Sequence, residues 1–472
     1  MQNSIGPKIL ILSPSKTDES LGAMYISSAL KKAGFRVKGA LIKKDDIFKV
    51  FEEFSPDFVL YSVITGEHKE CLSLNKKLKK RKKFISVFGG PHATYCPEVI
   101  SQEGVDAVCI GEGEEAIVEF ITRCACGNDI TRVRNFWVKK GNRIYRNEPR
   151  PLVTSLDSIA FPDRELFSRS RRNKEYTLMA SRGCPFDCTY CNNNAFKKIY
   201  TAKGGLVRYR STGNIIQEIK ELVKERDVKA INFHDDIFIM DAGKLREFSK
   251  RYKKEINIPF ICSVRANFIS EEIVTLLKEA GCKKAFMGVE TANDEVRLNL
   301  LKRNITREQM RNAVNLFKKH GITIFTHNIV GLPHTTIRDD LATLQFNIGL
   351  KPDFASVTIF MPYPGTELGR LCVKERLVKN FDDIYDTYHY KSPLKVTHRA
   401  QISVLHKLFS LTVEYDSLLA QAKALVLNPG KRSFQELREV FIAYREYKYA
   451  KVLKPSLKVP EKVRNFLKSL VP

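Results

Sequence analysis

The sequence predicts an α/β chain made of a doubly wound parallel sheet, then a partial barrel of six strand and helix units, then a helical C-terminal region. Three observations predict it. Short apolar runs alternate with amphipathic stretches from Lys8 to about Thr122, a Pro-marked connector follows, and the alternation resumes at Thr177 and continues to Met361. At 472 residues the chain is long enough for two or three domains with ample core.

In the first sheet, strands are expected at Ile9 to Ser13, Val37 to Ile42, Phe58 to Val63, Phe84 to Phe88 and Ala107 to Ile110, with helices such as Met24 to Lys32 and Glu70 to Lys80 between them. Ligands of such sheets sit at the carboxyl ends of the strands. The loops there read Ser62-Val63-Ile64-Thr65-Gly66, Gly89-Gly90-Pro91-His92 and Gly111-Glu112-Gly113-Glu114. Glycines allow close backbone approach to a bulky ligand, and Ser62 adds a short hydroxyl. Taken singly, Gly-Gly-Pro and Gly-x-Gly also read as tight turns.

Asn135 to Tyr145, centred on Lys140-Gly141-Asn142, reads as a hairpin joint. Pro149, Pro151 and Pro162 mark the connector, which ends in the charged stretch Arg169 to Glu175. The barrel strands are expected at Thr177 to Ser181, Ala230 to His234, Phe260 to Arg265, Ala285 to Glu290, Thr323 to Val330 and Ala355 to Met361. Helices such as Asn214 to Lys224, Glu271 to Ala280 and Glu308 to Lys319 lie between, and the chemistry of such a barrel collects at the carboxyl ends of its strands. Residues 400 to 472 are helical in pattern and basic, with a break at Val426 to Lys431. Glu461 to Leu470 reads as an amphipathic helix for ordinary packing, with a membrane surface as the alternative. The domains expected are 1–140, a linker over 141–175, the barrel over 176–385 and the helical region over 386–472.

The most specific chemistry lies in Ser181-Arg182-Gly183-Cys184-Pro185-Phe186-Asp187-Cys188-Thr189-Tyr190-Cys191, a C-x3-C-x2-C run that offers three thiolates. Structural zinc prefers four protein ligands, and no fourth Cys or suitably spaced His follows closely. A 4Fe-4S cubane held by three cysteines keeps one iron open for another ligand. Cys184, Cys188 and Cys191 are therefore the candidate metal ligands, against a zinc knot or buried thiols as alternatives. The other eight cysteines are scattered and read as buried small hydrophobes.

The spacing, the Gly-Cys-Pro opening and Tyr190 before the third cysteine resemble the radical S-adenosylmethionine (SAM) enzymes, whose open iron chelates SAM. Later strand-end sequences extend the resemblance across roughly residues 175 to 370. Phe233-His234-Asp235-Asp236 resembles the element near the SAM methionine; Arg265 in Cys262 to Asn267 can face a carboxylate; Glu290 in Met287-Gly288-Val289-Glu290-Thr291 is implied to bond SAM, at its ribose. Tyr190 and Asn192-Asn193-Asn194 are implied to line the SAM site. Gly331-Leu332-Pro333 is family-like, but His334-Thr335-Thr336 stands where an acid often follows, and Met361 to Leu368 is a further family-like sequence. Arg208-Tyr209-Arg210-Ser211 reads as a helix cap, with Arg210 a candidate for an anion.

The glycine loops upstream are similar to the cobalamin-binding domain of cobalamin-dependent radical SAM enzymes of the methyltransferase-like class. That resemblance implies a Rossmann-like cobalamin domain followed by a (β/α)6 TIM-barrel radical SAM domain, with Ser62, Gly89, Gly90, Gly111 and Gly113 around the corrinoid. The stretch Thr17-Asp18-Glu19-Ser20-Leu21-Gly22 lacks the histidine that related domains offer to cobalt. The implied activity is reductive cleavage of SAM to a 5'-deoxyadenosyl radical, with methylation of an unactivated carbon leading. Rearrangement, oxidation or ring formation is the alternative, with cobalamin absent or relaying electrons, and outside enzymes an iron-sulfur regulator or nucleic-acid-binding protein. The implied partners are a flavodoxin- or ferredoxin-type electron donor and a small-molecule, lipid or peptide substrate.

Seventy-nine Lys and Arg against 53 Asp and Glu give a net charge of +26. The basic residues, including Lys76 to Lys83, are spread rather than interleaved with aromatics, so nucleic acid is not the expected partner. Met1 to Pro7 carries no signal pattern and no apolar run reaches 18 residues, so a cytoplasmic location is expected.

Overall fold

The computed structural model describes residues 6–14, 20–167, 174–200, 206–381, 384, 391–430, 434–451 and 456–470. Most of the charged stretch Arg169 to Glu175, and Thr17 to Glu19 of the histidine-lacking loop, lie outside them. Two compact units emerge, and their sequence segments alternate: 1–183, 192–228 and 363–366 form one, and 184–191, 229–362 and 367–472 the other.

In the first unit β1 (Lys8–Ser13), β2 (Arg36–Leu41), β3 (Phe58–Ser62), β4 (Ile85–Gly89) and β5 (Ala107–Cys109) form a parallel sheet ordered β2-β1-β3-β4-β5. Alternation along β1 explains why both faces are covered. Ile9 and Ile11 join the core beneath α1 (Leu21–Lys32), while Leu10 and Leu12 join the core beneath α2 (Ile47–Phe54) and α3 (His68–Lys79). Two further helices follow, α4 (Pro91–Tyr95) and α5 (Glu114–Ala125), the latter on the β1 face that carries Ile9.

The hairpin is no separate joint. Its strands β6 (Phe136–Lys140) and β7 (Arg143–Arg146) continue the sheet, β6 antiparallel to β5. The three-residue β5 leaves an open edge, and β6 satisfies its backbone groups. The first strand of the barrel sequence, β8 (Glu175–Leu178), also stops earlier than expected. Arg210 takes the next two carbonyls, its N–H donating to Ala180 O at 2.8 Å and its Nη1 to Met179 O at 3.0 Å. The chain resumes as β9 (Ser181–Arg182), antiparallel to β10 (Arg208–Tyr209), and α6 (Asn192–Ile199) and α7 (Thr212–Glu225) complete the first unit.

In the second unit β11 (Ala230–Phe233), β12 (Phe260–Val264), β13 (Cys282–Glu290), β14 (Thr323–Val330) and β15 (Phe354–Ile359) are successive parallel neighbours. They alternate in sequence with α8 (Ala242–Glu255), α9 (Glu271–Ala280), α10 (Arg307–Lys319) and α11 (Ile337–Leu350), and α12 (Glu367–Lys374) follows. Counted along the chain with β8, six strands carry the barrel pattern.

The helical region is α13 (Arg399–Glu414), α14 (Leu419–Leu427), α15 (Phe434–Lys451) and α16 (Glu461–Leu470). Leu405, Leu408 and Phe409 of α13 share one core with Phe354 and Val357 of β15. Val463 and Phe466 of α16 are buried in that core, so its apolar face is already covered, as ordinary packing requires. Among the described residues no helix is long and apolar enough to cross a membrane.

Candidate functional site

The cysteine loop is held by its backbone. Gly183, with φ at 93°, brings the chain so near Leu206 O that an added Cβ would lie 2.1 Å from it. Within the second unit, Thr189 N–H donates to Leu301 O at 3.1 Å and its Oγ1 to Leu300 O at 2.6 Å, while Leu368 N–H donates to Thr189 O at 2.9 Å. Cys188 is buried; Cys184 and Cys191 are half-buried. Burial pushes the Cys184 thiol up, and nearby Asp236 and Cys188 push it further. Among the described residues no three His, Cys, Asp or Glu side chains converge on one ion. The soft three-sulfur donor set of Cys184, Cys188 and Cys191 is of the kind that holds a 4Fe-4S cluster.

Around this loop the second unit gathers four of the predicted residues and one that was not predicted. Asp235 is buried and Asp236 exposed, so of the pair Asp236 is the one near Cys184. Arg265 donates from Nη1 to Cys188 Sγ at 3.8 Å and from Nε to Asn267 Oδ1 at 2.9 Å, with its guanidinium 3.6 Å from the Phe186 ring centre. Glu290 ends β13 at a bulge with φ at 65°, and its Oε1 accepts the Tyr190 hydroxyl at 3.0 Å. Burial raises the Glu290 carboxyl despite the Arg303 guanidinium, 3.8 Å from Oε1. Arg303 also donates to Gly288 O at 2.7 Å and to Tyr190 Oη at 3.4 Å. Gly288 makes room for this knot, since a Cβ there would lie 2.2 Å from Glu290 Oε1. Arg303 was missed because its partners are set by the end of β13, 13 positions away, not by a local motif.

No acid follows Gly331-Leu332-Pro333 directly, and the carboxyl that reaches this loop comes from α11. Both carboxylate oxygens of Asp340 accept Gly331 N–H, at 3.2 and 3.1 Å. Thr336 caps α11 in a capping box with Asp339.

In the first unit the predicted loops stand at the carboxyl ends of the sheet, where Ser62 and Gly89 are register partners. Both are half-buried, and a Cβ on Gly89 would make only ordinary contacts, 3.9 Å from Cys109 Cβ and 4.0 Å from Tyr61 O, so this strand end stays accessible to a bulky ligand. The other glycines serve the fold. A Cβ on Gly90 would strike Val63 N and O at 2.9 Å, one on Gly111 would strike Tyr200 Oη at 1.9 Å, and Gly113 packs on Ile26 and Cys109. Beside Gly90 the rings of His68 and His92 stack at 4.1 Å, and burial with His68 alongside lowers His92 to about 3. Gly365 of the Met361 to Leu368 sequence accommodates the Tyr95 ring, at 2.9 Å from an added Cβ.

Two expectations fail. Arg210 does not await an anion: it is buried and its Nη1 donates to Glu218 Oε2 at 2.5 Å, although Ser211 does cap α7 as expected. Nor are all eight remaining cysteines buried, because Cys126 is exposed and Cys96 and Cys124 are half-buried at the margins of the sheet's helices.

Residues 178–346 match the radical SAM superfamily model and residues 7–121 the B12 binding domain model. An uncharacterized methyltransferase of Pyrococcus horikoshii is 29% identical over 87% of this chain and 90% of its own. An anaerobic magnesium-protoporphyrin IX monomethyl ester cyclase of Rubrivivax gelatinosus is 25% identical over 75% of this chain and 64% of its own. The solved structure of OxsB, a cobalamin-dependent SAM radical enzyme with aqua-cobalamin and SAM bound, shares the fold with a TM-score of 0.67 and 15% identity, over 99% of this chain and 75% of that one. Cysteine triad, strand-end cluster and glycine-lined sheet thus belong to a radical SAM enzyme with a B12-binding domain, whose cofactors are a 4Fe-4S cluster, SAM and cobalamin.

Proposed function

We propose that this enzyme methylates an unactivated carbon of a small-molecule, lipid or peptide substrate. The observation that carries the reading is the presence in one chain of a three-thiol loop and a parallel sheet whose strand ends leave Ser62 and Gly89 half-buried and accessible. The methyltransferase name of the Pyrococcus horikoshii relative supports it. When bound, the cluster and SAM supply a radical able to remove hydrogen from carbon, and cobalamin supplies a transferable methyl group.

The residues of this chain hold and orient. Cys184, Cys188 and Cys191 are assigned to the cluster. Tyr190 and Glu290 are assigned to SAM, with Arg303 fixing both. Arg265 supplies positive charge beside Cys188, and Asp236 a carboxylate beside Cys184. Ser62 and Gly89 are assigned to the corrinoid. The electron comes from a flavodoxin- or ferredoxin-type donor, which fits a cytoplasmic enzyme. A second reading, radical ring formation, is favoured by the cyclase relative.

The test is anaerobic expression with cobalamin, iron-sulfur reconstitution, and counting of iron, sulfide and cobalt. About four irons and one cobalt per chain, with methylated product from labelled SAM, support methyl transfer. Iron without cobalt moves the assignment to another radical reaction, and absence of both metals refutes it.

A further inference from the structure

We infer that His327 holds the substrate of the proposed reaction, through a hydrogen bond between its imidazole and a hydroxyl on an otherwise apolar substrate; the inference deepens that reading and rests on it. His327 stands in the middle of β14, where alternation fixes the face it presents. Thr326 and Asn328 turn toward α11, where both bond Asn347. His327 therefore points the other way with Phe325 and Ile329, to the inner face of the barrel strands.

Partial exposure marks that inner face. Phe286 and Gly288 of β13, His327 and Ile329 of β14 and Thr358 of β15 are half-buried, whereas Met287 and Asn328, on the helix side, are buried. One level below His327 the face is closed by aromatic rings. Phe325 packs between its register partners Phe286 and Phe354, and Tyr449 of α15 lies against all three. At the level of His327 the register partners are small, Gly288 on one side and Ser356 on the other. The tips of Glu290 and Arg303 lie over Gly288, so a substrate bonded to His327 is held next to residues assigned to SAM.

The imidazole is not used by the fold in the way a core histidine is, whose nitrogens are bonded. It stacks on Phe286 with ring centres 5.2 Å apart, and among the described residues neither ring nitrogen has a hydrogen-bond partner. Burial lowers its pKa to about 4, so the ring is neutral and offers one N–H and one lone pair. A hydroxyl, which both donates and accepts, is the group this matches. Phe286 and Ile329 leave the surface around it apolar, as a site for an apolar substrate body requires.

The test uses phenol and toluene as probes, alike in shape and differing in the hydroxyl. Their affinities are read by ligand-observed NMR on the full reconstituted chain with SAM added, and iron and bound SAM are counted in every sample. His327→Leu is expected to lower the ratio of phenol to toluene affinity about tenfold, equivalent to ~1.4 kcal/mol. His327→Gln, which keeps a donor and an acceptor, is expected to retain most of the ratio. A His327→Leu chain that holds iron and SAM and shows the wild-type ratio overturns the inference, as does a wild-type chain that binds neither probe. If His327→Leu does not fold, the wild type with ring-labelled histidine decides. Phenol is then expected to shift the His327 resonances, identified by their loss in His327→Gln, and unshifted resonances are equally fatal. A wild-type chain that takes up no iron refutes instead the proposed function beneath, whatever the probe ratio.

Discussion

Gly288 and Gly90 are both glycines at strand ends, yet the atoms that crowd them differ. At Gly288 the obstacles to a Cβ are the tips of Glu290 and Arg303, which can swing; at Gly90, with φ at 88°, they are the backbone of Val63, which cannot. Gly288→Ala is expected to leave the fold within about 1–3 kcal/mol of wild type yet weaken SAM binding tenfold or more, read by calorimetric titration of reconstituted protein. Gly90→Ala is expected to lose stability by ~1–3 kcal/mol or more, read by urea unfolding. Asp340 gives a pH dependence. Burial pushes its carboxyl up to about 8, whereas the unfolded chain titrates near the ordinary ~3.9. The folded state then binds the proton more tightly, so the contribution is full below the unfolded value and is lost as pH rises through about 8. Asp340→Asn is expected to flatten that decline in unfolding measured from pH 4 to 8. That the three cysteines share one loop was legible because they are neighbours in sequence, and that Glu290 ends a strand was legible from the apolar run before it. Arg303 and Asp340 were not, because each finds its target through a turn of the chain that no local pattern encodes.

Among elements, the parallel strands were legible because β1, β3 and β4 are apolar on both faces and short, a composition that only a sheet covered on both sides tolerates. The hairpin was legible as a hairpin but not as the edge of that sheet, since pairing with the three-residue β5 leaves no mark in either sequence. Helix ends were the least visible feature. Thr306 accepts the Gln309 N–H at 3.1 Å while Gln309 Oε1 accepts the Thr306 N–H at 2.9 Å, a capping box at the start of α10. Thr306→Ala is expected to cost about 1 kcal/mol in denaturant unfolding. Phe466→Ala in α16 is expected to cost ~3 kcal/mol or more, a loss that a helix resting on lipid would not show.

For the whole molecule, the residues we assign to the two metal cofactors belong to different compact units, the thiols to one and Ser62 with Gly89 to the other. Cys184→Ala, Cys188→Ala or Cys191→Ala is therefore expected to abolish the cluster absorbance while leaving corrinoid uptake largely intact, checked by optical spectra and cobalt content. The chain passes between the units after residues 183, 191, 228, 362 and 366. Gly365, seated on the Tyr95 ring, is among the last residues that the sheet-bearing unit receives. During synthesis that unit stays unfinished until residue 366 has left the ribosome, long after its five parallel strands have emerged, and no single cut in the gene yields two polypeptides that each carry one unit whole.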